Sequence, residues 1–187
     1  MMVRLCALLL SVAALTTGCG SGDEGPEPLP PAATSEEWAG RVVNRIIRPL
    51  NRDIEVLGTL DDPQTLIYIQ TEEQTLEVLD RRLNDLAECN AKLDAIGEPP
   101  PTEEGPTMQR VESLFREACD HYEKVAEQVL DAVTLMSSGR EEEFIRGNRM
   151  LRAAGPDAAA GAEAYEEAVR FARAVPEFQA KGLQPPP

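Results

Sequence analysis

Residues 111–136 read VESLFREACDHYEKVAEQVLDAVTLM, and their pattern sets the structural class of the chain. Apolar side chains recur three and four positions apart, which is the spacing of one face of an α-helix. We predict a helix over about 106–137. An amphipathic helix buries its apolar face only against other elements, so further helices of the same kind are expected. The predicted face consists of Val111, Leu114, Phe115, Ala118, Tyr122, Val125, Val129, Ala132, Val133 and Met136.

A leucine-rich heptad pattern precedes this stretch and predicts a helix from Pro63 to about Ile96. β-Forming residues on both sides of Asp61–Gln64 leave a hairpin over 54–70 as the alternative. A polar residue in an apolar seam, here Asn90, is expected to fix the helix register. The two core positions of the heptad hold Ile69, Leu76, Leu83 and Asn90, and Leu79, Leu86 and Leu93.

The first helix carries its own start and stop signals. Thr34–Glu37 is a capping-box pattern, a hydroxyl followed three places later by a carboxylate, and Gly58 ends the apolar stripe. Pro49 lies inside this helix and removes one backbone donor, so a kink is expected near Arg45–Pro49.

The last helical segment is predicted to run from about Glu141 to Val175 with a break at Gly155-Pro156. The fold class is therefore all-α, an up-down bundle of four long helical arms with the last arm broken at Gly155-Pro156. The bundle domain is expected over residues 34–178, and residues 179–187 are expected to form a disordered tail.

The N-terminus has the features of a targeting signal. Arg4 precedes an apolar run, Leu5–Leu15, that is shorter than the about 20 residues of a helix spanning a bilayer. A basic start, a short apolar run and small residues after it are typical of a secretory signal peptide, predicted here over residues 1–18.

The end of that signal, Leu15-Thr16-Thr17-Gly18-Cys19, resembles the lipobox of bacterial lipoproteins. Gly18 and Cys19 match the last two positions of the motif, Thr17 is an acceptable small residue, and Thr16 stands where leucine is usual. The resemblance covers residues 1–19 only. It implies cleavage before Cys19, a diacylglycerol on the Cys19 sulfur, and an extracytoplasmic protein anchored to the bacterial cell membrane by lipid.

Residues 19–33 would then form the lipid anchor and a flexible linker. Glycine and proline recur through Gly20–Ala33 with almost no apolar bulk, a composition that does not form a core. Such a linker would hold the bundle clear of the lipid head groups.

The cysteines predict one disulfide. Of the four, Cys6 falls in the removed signal peptide and Cys19 carries the lipid, which leaves Cys89 and Cys119. Two cysteines in an oxidising compartment are expected to pair. They lie on two helices joined by a short loop, so a bridge across that helical hairpin is geometrically reasonable.

Charge and residue content exclude several classes of function. The formal net charge of −15 opposes binding to nucleic acid. His121 is the single histidine, so any Ser-His-Asp or Cys-His catalytic site would have to use it. No Gly-x-Ser-x-Gly motif for a nucleophilic serine accompanies it. We predict no catalytic, cofactor-binding or metal-binding residues, and no cofactor.

The function expected from the sequence is that of a non-enzymatic interaction or structural module of the cell envelope. Its partners would be the membrane, through the lipid on Cys19, and an envelope protein. The alternative is a helical bundle that binds a small ligand, as an extracytoplasmic sensor or carrier. A large apolar pocket with convergent polar groups would favour the ligand, and an exposed apolar patch would favour a protein partner. The oligomeric state is left open.

Overall fold

A computed structural model of the chain describes residues 26–59 and 73–184, and these ranges are helical without any strand. The all-α fold class is confirmed. The helices are α1 (Ser35–Val42), a π-helical turn (Val43–Ile47), α2 (Arg48–Thr59), α3 (Glu73–Ala87), α4 (Cys89–Ile96), α5 (Gly105–Met136), α6 (Glu141–Arg173) and α7 (Pro176–Gln179).

Helix α5 is the centre of the bundle. It packs on α3 and α4 on one side and shares its most extensive interface with α6 on the other. Its predicted apolar face is confirmed, because all its members are buried except Val133, which is partly buried against the core. Helix α1 closes one end of the bundle, where Trp38 meets Phe178 of α7 edge to face at 6.2 Å.

The irregularity predicted near Arg45–Pro49 takes the form of a π turn. The Arg48 N–H donates to the Val43 carbonyl, five residues back rather than four. Pro49 has no N–H to offer the Arg45 carbonyl, so a regular α-helix would lose one bond here in any case. Thr34 caps the helix as predicted, accepting from the Glu37 N–H at 3.1 Å.

The second arm differs from the single helix predicted over 63–96. The part of it that the structure describes is interrupted at Glu88, which separates α3 from α4. Ile54–Thr59 belong to α2, so the first strand of the alternative hairpin is wrong; residues 60–72 lie outside the described ranges. Asp53 of α2, only 1 % exposed, ties the two arms together by accepting from Arg82 of α3 at 2.6 Å.

The predicted break of the last arm is wrong, because α6 runs through Gly155-Pro156 without interruption. Both residues are exposed, so the hydrogen bond that proline lacks is lost at the solvent side of the helix. On the opposite side, buried Ala154 and Gly161 keep α6 packed on α5. A proline inside a helix costs about 3 kcal/mol, and the long interface with α5 offsets that cost.

Both ends of the folded domain extend beyond the predicted 34–178. Residues 26–33, expected in the flexible linker, lie against the bundle: the Leu29 N–H donates to the Ala95 carbonyl at 2.8 Å, and Ala32 is buried. The Arg41 guanidinium also donates a hydrogen bond to the backbone carbonyl of Pro30. Residues 179–184, expected in the disordered tail, form turns in which Lys181 pairs with Glu36 at 2.7 Å.

Candidate functional site

The predicted site residues fall in different places. Cys19 lies outside the described residues. Cys89 and Cys119 form the predicted disulfide between α4 and α5, with a Cα–Cα distance of 5.2 Å. Both cysteines are buried in the core, so this bond is a structural link between two helices.

Asn90 follows the disulfide and joins the same two helices. Its side-chain amide donates to Asp120 Oδ1 at 2.8 Å and to Glu123 Oε2 at 3.0 Å. Asn90 is half-buried and not in the apolar seam where the sequence placed it, and its hydrogen bonds join α4 to α5. That these bonds fix the helix register stays a prediction.

His121 faces α6 on the surface of the bundle. Its Nδ1 lies 3.7 Å from Asp157 Oδ1, and Lys124 pairs with the same carboxylate at 2.7 Å. The hydrogen bond from Lys124 lowers the pKa of Asp157. Within residues 26–59 and 73–184, no group of three histidine, cysteine or acidic side chains is arranged to hold a metal ion.

A long groove runs between α2 and α6, and α5 forms its floor. Helices α2 and α6 each meet other parts of the bundle but scarcely touch one another. The groove has two connected lobes, of about 580 and about 740 Å³, that share Ile54, Tyr122 and Ala162. We refer to it as the α2–α6 groove.

The larger lobe is mostly apolar and is called the apolar lobe here. Its walls include Leu57 of α2, Val125 and Val129 of α5, and Leu151 and Ala158 of α6. Two polar side chains of α6, Asn148 and Arg152, also line this lobe.

The smaller lobe carries most of the polar groups and is called the arginine lobe here. It is lined by Asn51 of α2 and by Tyr165, Glu166, Arg170 and Arg173 of α6. The Tyr165 hydroxyl donates to Asn51 Oδ1 at 2.8 Å, with the Ile47 carbonyl 3.1 Å away, so this tyrosine, itself buried, joins the two walls of the groove by a hydrogen bond.

Tyr122 lies where the two lobes meet. It is 1 % exposed, and its hydroxyl is sealed from water with no hydrogen-bond partner among the described residues. Burial, and then the nearby charge of Glu166, raise the pKa of Tyr122 well above its ordinary value. A neutral phenol with an unused donor is costly when buried, so this hydroxyl lowers the stability of the fold unless it finds an acceptor.

The groove is positively charged in an acidic protein. Among the described residues, three arginines and one glutamate line it: Arg152, Arg170, Arg173 and Glu166. In the part of the chain that the structure describes, none of the three guanidinium groups lies within 4.0 Å of a carboxylate oxygen. All three side chains are exposed and form no ion pair with another described residue, so an anionic group in the groove can reach them.

The groove was not predicted from the sequence, because it results from small side chains on α6 and not from a recognisable motif. Ala158, Ala159 and Ala162 line the apolar lobe from α6, where larger side chains would have closed the gap to α2. Gly161 is buried against α5, and an added Cβ would meet Tyr122 Cε1 at 3.1 Å, so α6 sits close to α5 here. The run of alanine and glycine over 158–164 was the only pattern that could have indicated it.

None of the helices described is both long enough and apolar enough to cross a membrane. Comparison of the chain with protein-family models, with curated proteins and with solved structures found no match.

Proposed function

We propose that this chain is an extracytoplasmic lipoprotein, anchored through Cys19, and that its bundle is a non-enzymatic binding module of the cell envelope. The lipobox-like end of residues 1–19 supports the anchor. The Cys89–Cys119 disulfide suits an oxidising compartment.

Of the two roles considered for such a module, the α2–α6 groove favours capture of a small ligand. Ligand sites are concave and mostly apolar, with a few polar groups that fix orientation. The two lobes have this composition, and the apolar lobe that continues into a lobe lined by Arg170 and Arg173 is the observation that carries the proposal.

A protein partner has less support among the described residues. Their exposed large apolar side chains are Val78 on α3 and Ile145 and Phe171 on α6. Ile145 and Phe171 are separated by about 39 Å along the helix axis, so the two do not form one patch. Single exposed apolar side chains are normal on a protein surface.

The test is to identify what the protein holds when it is isolated from its own membranes. Organic extracts of the wild type and of Ala162→Trp would be compared by mass spectrometry, since a tryptophan at this shared position fills both lobes. We expect a small molecule that is enriched with the wild type and missing from the variant. Identical extracts from two equally folded proteins would contradict ligand capture.

A further inference from the structure

We propose that the ligand of the α2–α6 groove is a single-chain amphiphile with one negative charge, a long-chain carboxylate, whose head lies in the arginine lobe. This inference rests on the proposed function and adds the chemistry of the ligand.

The length of the groove fits an extended chain. Its α6 wall runs from Asn148 to Arg173, about 38 Å along the helix axis, which is room for an extended hydrocarbon chain and its head group. The floor of the apolar lobe is made by Val125 and Val129 of α5, side chains that offer no hydrogen bonds. A hydrocarbon chain buried along this floor would be stabilised in proportion to the apolar area removed from water.

The positive charges are unevenly distributed along the groove, and this predicts which lobe holds the head group of the ligand. Arg170 and Arg173 are three positions apart and line the same lobe, so both guanidinium groups can approach one anion. The Asn51 side chain lines the same lobe, and its amide N–H groups are donors that an anion can accept from. Arg152 stands alone among the apolar residues of the other lobe, which makes that end the weaker anion site.

Glu166 restricts the charge of the head. Its carboxylate lines the arginine lobe beside the two arginines, so the described residues of that lobe carry one net positive charge. A head with a single negative charge is balanced there, whereas a doubly charged phosphate would be left with an uncompensated charge.

Photo-cross-linking tests this on the anchored full-length protein in phosphatidylcholine vesicles. The probe is a long-chain fatty acid that carries a diazirine on its chain, and labelled peptides are mapped by mass spectrometry. We expect labels on α2 and α6 residues of the groove. Unlabelled fatty acid should compete, and the fatty alcohol of equal length should not.

Three variants separate the head from the chain. Arg170→Gln combined with Arg173→Gln should weaken labelling about tenfold, the effect of losing a charged hydrogen bond. Arg149→Gln is the control, because Arg149 is an exposed arginine of α6 outside both lobes. Ala162→Trp should abolish groove labelling, with circular dichroism matching that of the wild type.

The outcomes also separate this inference from the proposed function. If the alcohol competes as well as the acid, or the double arginine variant labels like the wild type, the anionic head is wrong. Ligand capture would still stand if Ala162→Trp blocks labelling. Labelling that a folded Ala162→Trp variant leaves unchanged would overturn both.

Discussion

The backbone N–H of Asn90 donates to Glu123 Oε1 across 2.6 Å, so a side chain of α5 binds the first turn of α4. The interruption at Glu88 makes this bond available, because in an unbroken helix the same N–H would bond four residues back along its own chain. A carboxylate at a helix N-terminus is also favoured by the helix dipole. The break at Glu88 thus replaces one hydrogen bond within a helix by one hydrogen bond between α4 and α5.

Replacing Glu123 tests how much its hydrogen bonds to Asn90 stabilise the fold. Glu123→Ala leaves the Asn90 N–H and part of its amide without an acceptor, and we expect the free energy of unfolding to fall by about 2 kcal/mol. Urea unfolding followed by circular dichroism measures the change. Glu127→Ala, an exposed carboxylate on the same helix, is the control and should change stability little. Equal effects of the two substitutions would contradict the role of Glu123.

The disulfide is expected to be a second, separate source of stability. Cys89 and Cys119 are 30 residues apart, and closing a loop of that size contributes about 3.5 kcal/mol in the chain-entropy model. The double variant Cys89→Ser with Cys119→Ser should lose about that amount in urea unfolding. Two freely alkylated thiols in the native, non-reduced protein would show that the bond does not form.

Tyr122 and Tyr165 form a matched pair for removal of a hydroxyl. Tyr165→Phe removes the hydrogen bond to Asn51, and we expect a loss of about 1 kcal/mol in the free energy of unfolding. Tyr122→Phe removes a buried hydroxyl that has no partner among the described residues, so stability without ligand should be unchanged or higher. A loss with Tyr122→Phe as large as that with Tyr165→Phe would mean that the Tyr122 hydroxyl is already satisfied.

The same two tyrosines predict how stability depends on alkaline pH. Burial first, joined at Tyr122 by the nearby charge of Glu166, raises both phenol pKa values above the ordinary value of about 10. Because the folded pKa is the higher one, the stability they contribute is complete below the unfolded pKa and is lost as pH rises through the folded pKa.

Titration of the tyrosinate absorbance checks this. Near the ordinary phenol pKa, wild type and Tyr122→Phe should give the same tyrosinate absorbance as long as the protein stays folded, because burial raises the pKa of Tyr122 well above that value. An extra ionisation step near the ordinary pKa, present in the wild type and missing from Tyr122→Phe, would contradict the burial of this phenol.

The anchor is tested at Cys19. Cys19→Ala should abolish incorporation of labelled fatty acid and should change both the processing of the signal and retention of the mature protein at the membrane. Cys6→Ala, which keeps the cysteine of the lipobox-like sequence, is the control and should behave as the wild type. Normal cleavage and membrane retention of Cys19→Ala would overturn the proposal of a lipoprotein.

Much of the fold could be predicted because its signals are local. The apolar stripe of α5, the cap at Thr34 and the end of α4 at Gly97, which has a φ of 81°, each depend on residues a few positions apart. The Cys89–Cys119 pairing followed from a count of cysteines and a short loop between helices.

What could not be predicted depends on tertiary contacts. Pro156 reads as a helix breaker until the packing of Ala154 and Gly161 on α5 is known. The groove depends on the distance between α2 and α6, and the apolar pattern of one helix does not predict its distance from another. The Gly/Pro-rich composition of residues 26–33 indicated a linker, yet their backbone groups find partners on the bundle.

The docking of residues 26–33 limits how far the bundle can stand from the bilayer. If Cys19 bears the lipid, only residues 19–25 separate the anchor from the docked segment, and seven residues span at most about 25 Å in any conformation. A fully free linker over 19–33 would allow about twice that distance. The domain would then work at the membrane surface, where molecules leaving or entering the lipid layer pass within its reach, and not at a distance across the envelope.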